Sequence, residues 1–210
     1  MSRLKLLLIS CAWIFALPAL RAHAEPILLS IVVHMATEGG RDVAPPEFVE
    51  TQVRRANEIF APYGVAFELR ALVRSGSAPR MESRADRSAL AQHEKPGVIN
   101  CFVVAALRDV DEPDRMRRGV HWHSETHPGA HFVILSAISE PDVLAHELGH
   151  YLGNPRHSDT PGNLMSYQRT DVLPFLDEAQ QRRMRRTIRA YRQSGELGSS
   201  KPRAHLGSTP

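Results

Sequence analysis

The chain has 210 residues, 42% of them hydrophobic and 23% charged, with a formal net charge of +3. That length suits one domain with a core of its own rather than an array of domains. The basic excess is Arg3, Lys5 and Arg21, all within the first 24 residues, so the remainder is neutral and argues against a nucleic-acid partner.

The opening stretch, MSRLKLLLISCAWIFALPALRAHA, places Arg3 and Lys5 before an apolar run from Leu6 to Leu20 and ends in Ala22-His23-Ala24. A basic start, an apolar middle and a small-x-small end predict a secretory signal peptide cut after Ala24. The run is shorter than the ~20 residues of a spanning helix, so no stable membrane anchor is expected. The protein is expected to be secreted, extracellular or periplasmic. Cys11 leaves with the signal, and Cys101 is left without a partner for an intramolecular disulfide. Little chain separates Ala24 from the first strand, so no propeptide lock is expected.

Ile27 to Ala36 is β-branched and apolar and predicts a first strand. Pro45-Pro46 opens a helix to about Tyr63, with Val49, Val53, Ala56 and Phe60 on one apolar stripe. Gly64 is its expected left-handed cap. VAFELRALV, from Val65, alternates as a second strand. Residues 74 to 96 are polar and Arg-rich and predict a loop with room for a short helix. GVINCFVVAAL, apolar on both faces, predicts a central strand in which Cys101 is a small core residue. Two short strands follow, around Val120 to His123 and His131 to Ser136. A helix with Ser139 as N-cap and Pro141 in its first turn should end near Gly153. A last helix starts around Asp177, where Asp177-x-x-Gln180 has capping-box spacing. Met184, Ile188 and Tyr191 form its apolar face, and arginines its solvated one.

HELGHYLGNPRHSDTPGNLMSY, residues 146 to 167, carries the chemistry. His146 and His150 are one helical turn apart, so both imidazoles leave one face at a spacing a tetrahedral zinc accepts. Glu147 lies beside them, where a carboxylate can take a proton from a metal-acidified water. The bland alternative is a helix that carries these residues by chance. Gly153 permits a sharp turn after the second histidine, and Pro155 blocks further helix. His157 and Asp159 are the two candidates for a third ligand, with His157 preferred. Arg156 cannot serve, because a guanidinium stays protonated and only donates.

This stretch resembles the metzincin clan of zinc endopeptidases. The clan's H-E-x-x-H-x-x-G-x-x-H pattern matches at His146, Glu147, His150 and Gly153, but its third histidine would fall on Arg156. His157 comes one residue late, an insertion of at most ~3.5 Å that a loop can absorb as a bulge. Met165 stands where these enzymes have their Met-turn. His157-Ser158 with that spacing looks like the matrixins; Met165-x-Tyr167 looks like the astacins and serralysins, whose tyrosine stabilises the transition state. The resemblance implies an α/β (α+β) fold: a twisted mixed sheet with an active-site helix and a C-terminal helix. It also implies a zinc-dependent endopeptidase acting on protein or peptide substrates. His146, His150 and His157 would hold Zn2+, with Glu147 as general base and Tyr167 as the second catalytic residue. The expected division is a signal peptide at 1–24, a catalytic domain at 25–192 and a flexible tail at 193–210, acting as a monomer. The opposing reading is a secreted zinc-binding module without peptidase activity.

His121, His123, His127 and His131 form a dense run just before this helix. The preferred reading is an edge strand and loop rimming the cleft, whose backbone would pair with an extended peptide. A second metal is the other reading. Matrixins carry a structural metal in a preceding loop, but HWHSETHPGAH does not reproduce their ligand pattern.

Overall fold

The computed structural model describes residues 25–198, so the expected signal peptide lies outside the described residues. In chain order the elements are β1 (Ile27–Met35), β2 (Thr37–Glu38), β3 (Arg41–Asp42), α1 (Pro46–Phe60), β4 (Val65–Arg74), β5 (Arg80–Met81) and α2 (Arg84–Ala89). There follow β6 (Ile99–Val104), β7 (Ala106–Leu107), β8 (Gly119–His123), β9 (His131–Ser136), α3 (Val143–Tyr151) and α4 (Glu178–Ser194). Five strands form the main sheet in the order β4-β1-β6-β9-β8. Its first four strands run parallel, and β8 closes one edge antiparallel to β9. The mixed α/β architecture expected from the sequence is the one observed.

The central strands are mostly apolar because both faces of the sheet are covered, and the buried polar pair His34 and Asn100 is hydrogen-bonded at 2.9 Å. Alternation sends Ile99, Cys101 and Val103 of β6 to the side packed by α1, α3 and α4. It sends Phe102 and Val104 to the opposite side, against Phe132, Trp122 and Leu90. Phe60, Phe102 and Phe132 are fully buried; each such side chain contributes roughly 1.5–3 kcal/mol of transfer free energy. All four stripe residues of α1 are buried as its spacing predicts. The chain then tightens into a 3-10 turn over residues 61–63 and leaves it through Gly64, at φ 70°.

Three expectations change. Residues 74 to 96 hold the short helix allowed for, α2, which starts at a capping box between Ser83 and Asp86, and beyond that expectation β5 pairs with β7. This segment covers the outer face of the sheet, where the Arg87 guanidinium lies 4.9 Å from the Trp122 ring. Its apolar residues are too few to show a period, so the tertiary contact decides its structure. Secondly, α3 begins after Asp142 rather than at Ser139. The Ser139 hydroxyl instead donates to the Ser136 carbonyl at 2.6 Å and closes the turn before the helix.

Thirdly, the expected tail at 193 starts too early, since α4 runs to Ser194 and the next four residues fold back. Leu197 is buried in the main core, its N–H bonded to the Tyr191 carbonyl at 3.0 Å. The Gly198 N–H reaches the Gly97 carbonyl at 2.9 Å. One leucine with a place to go outweighs the polar composition around it. Among the described residues, no helix is long and apolar enough to cross a membrane.

Candidate active site

The first two histidines come from α3, whose inner face is packed beneath the sheet. Their ring centroids lie 4.8 Å apart. His146 Nδ1–H donates to the Leu164 carbonyl at 2.7 Å, and His150 Nδ1–H donates to the Asn154 carbonyl at 2.8 Å. A carbonyl only accepts, so each ring keeps its proton on Nδ1 and offers the Nε2 lone pair to a metal. Burial pushes both rings down to about 4, leaving them neutral near pH 7.

His157 lies on the long segment that joins α3 to α4. Gly153 turns the chain at φ 93°, and a Cβ there would come within 2.2 Å of Thr187 Oγ1 on α4. Asn154 Oδ1 then accepts from Arg183 Nε at 3.0 Å, tying the turn to α4. Pro155 and Arg156 lie on the surface, and His157 Nε2 comes within 3.2 Å of His150 Nε2. The extra residue is taken up as exposed loop. His146, His150 and His157 offer ring nitrogens within 4.8 Å of one another, in a cluster that does not include Asp159. Zinc–nitrogen bonds of about 2.0–2.1 Å in a tetrahedron separate neighbouring nitrogens by roughly 3.3 Å. The His150–His157 spacing and the orientation of the two Nδ1–H groups therefore fit zinc.

Met165 closes the site from below. It is fully buried, and a Cβ on Gly149 would fall 2.4 Å from its sulfur. The glycine inside the H-E-x-x-H motif is therefore the space the methionine occupies. The carbonyl before it, that of Leu164, is the one that orients His146. Beneath the turn, Asn163 and Gln180 exchange amide hydrogen bonds of 2.8 and 3.0 Å. Asn163 Oδ1 also accepts from the Met165 N–H at 2.9 Å. Sequence reasoning identified Gln180 only as half of a helix cap and missed Asn163.

Glu147 is buried beside the histidines. Burial pushes its carboxyl up to about 8, while the His121 backbone and the Arg117 and Arg169 charges pull it back. Gly119 on β8 makes room for it: a Cβ there would lie 2.6 Å from Val143 Cγ1 and 3.0 Å from Glu147 Oε1. That residue was also missed, although a glycine inside a strand is itself a sign of close approach. Tyr167 is exposed, its ring 4.4 Å from that of His157 and 5.8 Å from that of His146. His146, Glu147 and Tyr167 line two hollows, one of about 590 Å³ along β8 and one of about 620 Å³ towards Met116 and Arg169.

No family model and no curated protein matches this chain. Solved structures do. The chain is similar to mirolysin in complex with compound 9, with a TM-score of 0.59 and 13% identity, over 83% of this chain and 100% of that one. Mature mirolysin of Tannerella forsythia, in complex with a cleaved peptide, gives a TM-score of 0.57 and 14% identity over 83% and 100%. Metalloproteinase-II from Bacteroides fragilis gives 0.52 and 15%, over 78% of this chain and 53% of that one. The chain has a metalloproteinase fold.

Proposed function

We infer that the protein is a secreted zinc-dependent endopeptidase of metzincin type, its catalytic domain following a signal peptide at 1–24. The observation that carries this reading is the convergence of three histidine nitrogens within 4.8 Å, with Glu147 on the same helix turn. His146, His150 and His157 are assigned as zinc ligands. Zinc held there would polarise the scissile carbonyl and acidify the attacking water. Glu147 takes the proton as water attacks and passes it to the leaving amine. A cation beside it favours its ionised form against the burial that raises its pKa. Tyr167 is assigned to donate a hydrogen bond from its hydroxyl to the developing oxyanion, a role supported by its ring lying 4.4 Å from that of His157 at the mouth of the site. β8 is the edge strand of the main sheet among the described residues, lines the same cleft and would offer backbone groups to an extended peptide. A peptide substrate also agrees with the cleaved peptide held by one structural neighbour.

The test is Glu147→Ala. Hydrolysis of casein or gelatin should be abolished while zinc content stays at the wild-type level, because Glu147 serves the water and not the metal. Substantial turnover by this variant would remove the mechanism. Zinc binding by a wild-type chain that cleaves nothing would favour a zinc-binding module instead.

A further inference from the structure

We propose that His121, His123 and His131 form a second metal site, for a divalent transition metal of the zinc class, separate from the triad on α3. These three residues offer ring nitrogens that all lie within 4.8 Å of one another. The cluster follows from strand geometry. His121 and His123 are two residues apart on β8 and share a face, and His131 stands directly opposite His123 across the β8–β9 ladder. His127, from the same histidine run, lies in the connecting loop and outside the cluster.

The surroundings of His131 are those of a metal ligand. Its Nε2 lies 2.6 Å from Glu196 Oε1, and an ionised carboxylate only accepts, so the ring proton sits on Nε2. The lone pair is then on Nδ1, which faces His121 Nε2 at 2.8 Å. A carboxylate that holds the far N–H of a histidine fixes its tautomer and raises its basicity, the usual outer partner of a metal-bound imidazole. The Tyr151 ring stacks on His131 at 4.4 Å and fixes its plane. Glu196 belongs to the segment that folds back after α4, far from His131 in sequence. Three imidazoles without a thiolate suit zinc, copper or nickel rather than calcium or magnesium.

Zinc would require the 2.8 Å contact to widen to roughly 3.3 Å, a movement that small shifts of the edge strand can absorb. His123 is exposed and leaves an entry path. The two clusters share a wall, since Tyr151 follows His150 on α3 and His121 and His123 line the same hollow as His146 and His150. A metal here would bind β8 to β9 at the rim of the cleft and recruit the Glu196 segment behind them. That is a structural clamp on the strand assigned above to hold a peptide.

The experiment is zinc stoichiometry of the full chain after dialysis against micromolar free zinc, with circular dichroism to confirm folding. Wild type should hold two equivalents, His123→Ala one, His157→Ala one and the double variant none. His127→Ala should keep both. Glu196→Gln should weaken the second equivalent roughly 10–100-fold. A folded wild-type chain with no second equivalent, or a second equivalent that survives His123→Ala, overturns the proposal. Because His157→Ala reports on the first site alone, failure of either assignment is distinguishable from failure of the other.

Discussion

Two imidazoles on one helix turn leave zinc short of protein ligands, so the hold on a metal at the α3 site depends on the third. His157 Nε2 lies 3.2 Å from His150 Nε2, whereas Asp159 is outside the cluster. His157→Ala should therefore weaken zinc binding severely, and Asp159→Ala should leave it close to wild type, as read by competition with a chromogenic chelator. The reverse order would reassign the ligand. Tyr167 is exposed, its ring tilted against that of His157, so removing its hydroxyl disturbs no packing. Tyr167→Phe should lower kcat by about 10²–10³ with little change in KM, since a donor to the oxyanion acts in the transition state. Steady-state kinetics on a peptide substrate decide this, and unchanged kcat would return Tyr167 to a rim position.

At the scale of elements, the site depends on how the segment after α3 is fastened to α4. The buried fastening is the Asn163–Gln180 amide pair under Met165, which adds to the Asn154–Arg183 contact. Asn163→Ala would leave the Gln180 amide and the Met165 N–H without their partner, at a cost of ~1–3 kcal/mol for a buried group left unsatisfied. Urea unfolding should show that loss. Zinc affinity should fall with it, because the neighbouring Leu164 carbonyl orients His146. Full stability in this variant would show that the amide pair does not hold the turn at Met165, leaving it to packing and backbone hydrogen bonds such as Leu164 N–H to the Phe175 carbonyl.

Across the whole molecule, the segment just after α4 meets the turn before β6, and the carboxylates of Glu94 and Glu196 meet there. Half-buried Glu94 is pushed up to about 7 by burial and then by the Glu196 charge. The folded state therefore holds a proton at Glu94 that the unfolded chain has released, and stability from this group falls as pH rises from about 4.5 to about 7. Glu94→Gln should remove that part of the pH dependence. Its stability relative to wild type should rise across the window, as measured by urea midpoints at several pH values. Parallel curves for the two proteins would show that Glu94 is not protonated in the folded state.

Local order along the chain was legible because its causes are short-ranged. The α1 stripe, the alternation of β6, the Asp177–Gln180 cap and the one-turn spacing of His146 and His150 each depend on residues a few positions apart. Those signals by themselves determined the main strands and helices and the pair His146 and His150 with Glu147 beside them, whereas the fold class came with the family resemblance and the third ligand was left between His157 and Asp159. The tertiary structure decided what depends on distant residues meeting. It brought Gly119 against Glu147, Met165 against Gly149, Asn163 against Gln180, and Glu196 against His131. It also ordered the segment carrying α2 and drew Leu197 into the core. No local pattern encodes such pairs, because each exists only once the sheet, α3 and α4 have packed and a side chain from one part of the chain fills a space left by another.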